Sequence, residues 1–156
     1  MAKDSFSEGY QTMKFKSLLP VYRRLLLEAK KAMKTGHNPY TKTQVGAAVL
    51  TTNGSIISAS NVVISAKWNS ICAERSAIVK ANSVGKPIFT AIAIIGRKGK
   101  RTTEAKKYIF TPCGVCRQFI YEFRPPGKDI DVIMSDLEMD RIIVMKISEL
   151  LPLAYE

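Results

Sequence analysis

FTAIAIIG, residues 89 to 96, is apolar along its whole length. A surface strand alternates apolar and polar residues, so this run predicts a central strand covered on both faces. Helices must then lie on either side of it, and the flanking sequence supplies them. Upstream, ICAERSAIVKAN (71–82) predicts a helix from Ala73 to about Asn82, with Asn69 or Ser70 as its N-cap. Downstream, TPCGVCRQFIYEF (111–123) predicts another, with Pro112 close to its first turn.

Further out, Leu18, Leu19, Tyr22, Leu26 and Ala29 recur at helical spacing and predict a helix over 17–35, stopped by Gly36. HNPYTK (37–42) is a loop, because Pro39 forbids a continued helix. VGAAVLTTNGSIISAS (45–60) reads as a hairpin turning at Asn53-Gly54, the pair favoured by a type I′ turn. DIDVIMSD (129–136) and RIIVMKI (141–147) are strands, and SELLPLAYE (148–156) closes the chain with a short helical turn. This order predicts an α/β fold, a three-layer mixed β-sheet flanked by helices. Residues 1–16 read as a flexible N-terminal extension and 17–156 as one domain. The basic run RKGKRTTEAKK (97–107) reads as a solvated loop between strand and helix.

Composition bounds the function. Of 156 residues, 46% are hydrophobic and 24% charged, ordinary for a soluble globular domain. The longest apolar runs are too short to cross a bilayer, and the polar N-terminus lacks a signal-peptide core. A soluble, cytoplasmic protein with no membrane association is therefore expected. The net charge of +11 would attract nucleic acid, an anionic surface or acidic ligands. That charge is dispersed, however, and no RGG tract, RNP motif or zinc finger accompanies it. Nucleic acid is a possible partner but not the favoured one.

The three cysteines, Cys72, Cys113 and Cys116, fall in two short motifs. An odd count argues against a disulfide framework. Cys113 and Cys116 lie three apart at a helix start, where both sulfurs can share one face. Such a pair suits a redox dithiol, half a zinc knuckle or two ligands of a larger site. A redox dithiol needs no third cysteine, and a four-cysteine structural site lacks its fourth. The only histidine, His37, is a loop residue to which no role is assigned. Three ligands with an open position are the pattern of catalytic zinc. Both motifs fall at predicted helix N-termini, which favour the thiolate that zinc requires. Three thiolates leave the site near −1, which Arg75 is placed to offset through hydrogen bonds to sulfur. Glu74 is the candidate proton carrier. Residues two apart do not share a helix face, so Cys72 must sit at the helix edge for Glu74 to reach the same cavity.

C-A-E (72–74) with P-C-G-V-C-R-Q (112–118) resembles the zinc-dependent cytidine deaminases, in the small homotetrameric branch. P-Y-T-K-T-Q-V-G-A-A-V (39–49), N-G-S-I-I (53–57), Asn61 and E-L-L-P-L-A-Y (149–155) extend the resemblance over most of the chain. It implies one Zn²⁺ per chain, held by Cys72, Cys113 and Cys116, and hydrolytic deamination of a free cytosine nucleoside in pyrimidine salvage. Water would attack C4, and Glu74 would carry protons to N3 and to the leaving amine. Asn61 would bind the sugar, backbone around Ala73 the base edge, and Tyr155 would reach a neighbouring subunit's site. Arg75 and Gln118 would support the ligands.

Departures from the family pattern concern the sugar. Val63 stands where a glutamate usually binds a hydroxyl, Thr43 where a phenylalanine packs, and Trp68 where a tyrosine is common. Losing a charged hydrogen bond costs about 1.5–3 kcal/mol. Either Trp68 or Lys67 re-forms the pocket for cytidine or deoxycytidine, or the substrate carries a modified sugar, as in the similar blasticidin S deaminases. The spacing from Asn61 to Cys72 favours the former. Behind these stand a polynucleotide deaminase and a non-catalytic scaffold stabilised by zinc.

Overall fold

The computed structural model describes residues 10–99 and 102–155. The apolar run is strand β3 (Phe89–Arg97), the middle of five, numbered here in chain order. On one side lie β1 (Gln44–Thr51) and then β2 (Ile56–Ser60); on the other lie β4 (Asp131–Ser135) and then β5 (Ile142–Lys146). β3 pairs antiparallel with β1 and parallel with β4, and the outer pairs are antiparallel. The sheet is therefore mixed.

Alternation along β3 divides the core in two. Ile92 and Ile94 pack with Ala77 and Ile78 of helix α2 (Ala73–Ser83) and Ile120 of α4 (Gly114–Glu122). Ala91, Ala93 and Ile95 face the opposite way, onto Leu25, Leu26 and Ala29 of α1 (Pro20–Met33). These are the expected three layers. Leu19, expected on the buried stripe of α1, is exposed; it precedes the helix, and Pro20 opens the first turn.

α1 lies close to the sheet because Gly46 has no side chain. A Cβ there would stand 2.0 Å from the Ala29 carbonyl oxygen. A polar tie joins the same helix to the far side of the sheet: Tyr22 donates a 2.6 Å hydrogen bond to Asp131, which Lys146 also pairs at 2.7 Å. Tyr22→Phe leaves the ion pair intact and removes only that bond. It is expected to cost about 1 kcal/mol, read as a fall of a few degrees in thermal midpoint.

Several expectations need correction. The hairpin does not turn as type I′. Gly54 alone takes a positive φ, of 81°, and its N–H donates to the Thr51 carbonyl, while Thr51 N–H donates to Ser55. This is a three-residue loop ending in a glycine bulge. Asn53 keeps a negative φ and uses its side chain to accept from Ser55 N–H and the Thr51 hydroxyl. The basic run is not all loop: Thr103–Lys107 forms α3, capped by the Thr102 hydroxyl, which accepts from Ala105 N–H. The extension over 1–16 is not loose in its last residues, since Met13 forms a two-bond bridge with Ile142 and packs with Phe15 on the core. Residues 1–9 lie outside the described residues. Ile147–Leu150 forms the closing helix, α5. Among the described residues no helix is long and apolar enough to cross a membrane.

Candidate metal centre

Two helix N-termini meet on one face of the sheet. Cys72 is the N-cap of α2 and Cys113 the N-cap of α4, both with extended backbone, and Cys116 follows in the first turn of α4. The expected caps Asn69 and Ser70 instead lie in and just after a 3-10 turn, Lys67–Asn69, that delivers the chain to Cys72. With Cys72 outside the helix and Glu74 within its first turn, the two reach one cavity, as their spacing required.

The three sulfurs lie within 4.8 Å of one another. Around a tetrahedral zinc with bonds of about 2.3 Å, sulfurs stand about 3.8 Å apart, so this donor set fits the ion. The hydrogen bond from Cys116 and then, against burial, the Arg75 guanidinium hold Cys72 below the ordinary thiol range. That same bond and burial push Cys116 up. Arg75 also donates to the Ser70 carbonyl at 3.0 Å, which steadies the approach to Cys72. Glu74 is only 4% exposed, and burial pushes its carboxyl up to about 7, opposed by its own backbone N–H.

Cys72, Cys113 and Glu74 line a cavity of about 180 Å³, with Val45, Asn61, Val63, Ile71, Phe110 and Thr111 around them. Ala73 lies in its wall. Asn61 is buried and works as a clip: its Oδ1 accepts from Val45 N–H at 2.8 Å, and its Nδ2 donates to the Thr43 carbonyl at 3.2 Å. An amide nitrogen carries two hydrogens, and the bond to Thr43 uses one of them. Asn61→Ala is expected to cost about 2 kcal/mol by orphaning Val45 N–H, and to raise KM more than it lowers kcat. Thermal melting and steady-state kinetics on the same preparation read both.

Other sequence expectations part from this cavity. Val63 lines it, whereas Thr43, Lys67 and Trp68 do not, and Trp68 is 86% exposed. Tyr155 and Gln118 also lie outside it within the single chain. The Gln118 side chain instead grips the Tyr155 backbone in both directions, at 2.8 and 3.1 Å. Arg117 is the residue that motif reading passed over, although it stands inside P-C-G-V-C-R-Q. Its Nε donates to the Pro112 carbonyl and its Nη1 to that of Leu150, pinning the turn that presents Cys113. Phe110 forms a cavity wall because Gly96 leaves room, a Cβ there falling 2.4 Å from its ring.

Residues 21–130 match the family model of the cytidine and deoxycytidylate deaminase zinc-binding region. The chain belongs to the cytidine deaminase family. A cytidine deaminase of Halalkalibacterium halodurans is 37% identical over 131 residues, covering 84% of this chain and 91% of that one. A blasticidin-S deaminase of Bacillus cereus is 33% identical over 115 residues, covering 73% and 78%. The crystal structure of the cytidine deaminase from Burkholderia pseudomallei superposes with a TM-score of 0.73 at 31% identity, covering 86% of this chain and 98% of that one. The three thiols of this deaminase domain thus form a zinc-binding group able to hold one ion.

Proposed function

We propose that this protein hydrolyses the exocyclic C4 amine of a free cytosine nucleoside, giving the uracil nucleoside and ammonia. The observation that carries the reading is Glu74: a buried carboxyl held near neutrality, beside three thiols that fit zinc. When bound by Cys72, Cys113 and Cys116, zinc supplies a Lewis acid that makes water a nucleophile near neutral pH. The chain's residues do the rest. Glu74 takes the proton that the attacking water loses and gives it to ring N3. It then takes the remaining hydroxyl proton and delivers it to the leaving amine, so C–O forms, C–N breaks and Glu74 ends as it began. A carboxyl near neutrality serves both directions. Arg75 offsets thiolate charge, Gln118 and Arg117 steady the helix that carries two of the ligands, backbone at Ala73 holds the base edge, and Asn61 offers its spare amide hydrogen to the sugar.

A homotetramer, with Tyr155 reaching a neighbour's site, agrees with the exposed apolar residues Val62, Trp68, Ile71 and Tyr155. A cytoplasmic role in pyrimidine salvage fits such a substrate. A second reading, deamination of a modified nucleoside such as blasticidin S, rests on Val63: among the described residues no carboxylate other than Glu74 lines the cavity to bind a sugar hydroxyl.

The test is ammonia release by zinc-loaded protein from cytidine, deoxycytidine, cytosine, blasticidin S and a short cytosine-containing RNA, with Glu74→Gln alongside. Turnover of cytidine or deoxycytidine that disappears in the variant is expected. Turnover of blasticidin S alone transfers the function to the second reading, of the RNA alone to a polynucleotide deaminase, and of nothing to a zinc-stabilised scaffold.

A further inference from the structure

Away from the thiols, two cavities of about 320 and 410 Å³ meet at Gln44 and Arg97. Lys42 lines the first, Lys30, Lys34 and Lys106 line the second, and Arg97 stands between them. Five cationic side chains thus share one groove with a single carboxylate, Glu138, which Lys106 already pairs at 3.2 Å. Among the described residues nothing acidic pairs with the others. Lys30 donates to the Leu137 carbonyl, a neutral partner. Arg97 is the most exposed to this imbalance in energetic terms: its Nη2 donates to the Gln44 amide oxygen at 2.6 Å, and its buried Nε has no partner among the described residues. Unanswered charge so concentrated raises the free energy of the fold through mutual repulsion, and an anion seated between the cations relieves it.

We infer that this groove binds a short phosphate chain of the nucleoside triphosphate class. The planar guanidinium at the junction offers the fork that phosphate oxygens accept, and lysines on either side supply point charges to further phosphates. Size and lining argue for a small ligand over a polymer. The cavities fall in the range of small-molecule sites. Sequence-tolerant binding of a nucleic-acid strand uses aromatic platforms on which bases stack, and no Phe, Tyr or Trp lines either cavity. This site is separate from the thiol cavity and does not depend on the deaminase reading.

Titration calorimetry on the zinc-loaded protein tests it, with sodium tripolyphosphate, ATP and a single-stranded oligothymidylate as probes. ATP carries no cytosine, so it separates this groove from a cytosine pocket. The informative variant is Lys34→Gln with Lys42→Gly. Both side chains are exposed, and glycine suits the positive φ of 58° at position 42. Lys128→Gln is the control, since Lys128 precedes β4, whose start pairs with the opposite end of β3 from Arg97. Saturable binding of tripolyphosphate and ATP, weakened about tenfold or more in the double variant and unmoved in the control, is expected. Tighter binding of ATP than of tripolyphosphate adds the nucleoside to what the groove reads. No saturable binding, or equal affinities in the double variant and the parent, overturns the inference. So does an oligothymidylate that outbinds both small ligands through the same lysines, which assigns the groove to nucleic acid.

Discussion

Glu74→Gln is expected to lower deamination about 10⁴-fold, the upper end of what a positioned acid–base group contributes, with zinc content unchanged. The side chain is 4% exposed and fixed in the first turn of α2, so the amide fills the same space. What it cannot do is accept a proton. In the proposed mechanism two transfers pass through this one carboxyl, which burial pushes up to about 7. Glutamine supports neither transfer. Metal analysis, melting and ammonia release on one preparation separate the outcomes. Full zinc, an unchanged melt and lost turnover are the expected set; activity within about tenfold of the parent would move the proton chemistry to another group.

Gly46→Ala is expected to be strongly destabilising, although it adds a single methyl. The added carbon would lie 2.0 Å from the Ala29 oxygen and 2.6 Å from the Met33 nitrogen. Both are backbone atoms of α1, so no rotamer change relieves the clash. The helix must back away from the sheet, opening the contact of Leu25, Leu26 and Ala29 with Ala91 and Ala93. Overpacking of this kind costs at least about 3 kcal/mol, a loss of about 10 °C in thermal midpoint for a domain of this length. Gly114→Ala provides the contrast, because a Cβ there meets nothing within 4 Å. Its melt should stay at or slightly above that of the parent.

The parts of the fold that could be read in the sequence are those set by local pattern. The unbroken apolar run of β3 announced a strand covered on both faces, and the cysteine spacing announced three thiols at two helix starts. Glu74 followed from its place beside Cys72. What escaped depends on partners distant in the chain. Met13 reads as part of a polar tail until Ile142 offers it two backbone bonds. Thr102–Lys107 reads as solvated charge because a five-residue helix has no room for an apolar stripe, leaving only the Thr102 cap as a signal. Asn69 and Ser70 are better intrinsic N-caps than cysteine, yet the 3-10 turn places Cys72 at the junction. The cationic groove assembles α1, the loop after it, the end of β3 and α3, and no window of sequence contains it.

Arg117 ties the turn before Cys113 to Leu150, and Gln118 ties α4 to Tyr155. On a ribosome these anchors are made after the thiols they brace. Cys72 and Glu74 leave the exit tunnel long before the segment that braces the other two thiols, and Met13 waits for Ile142 over an even longer stretch of chain. A nascent chain therefore carries these thiols unbraced until the segment around Leu150 and Tyr155 has been made. A stalled or truncated chain that stops short of Leu150 lacks the latch on its own metal site.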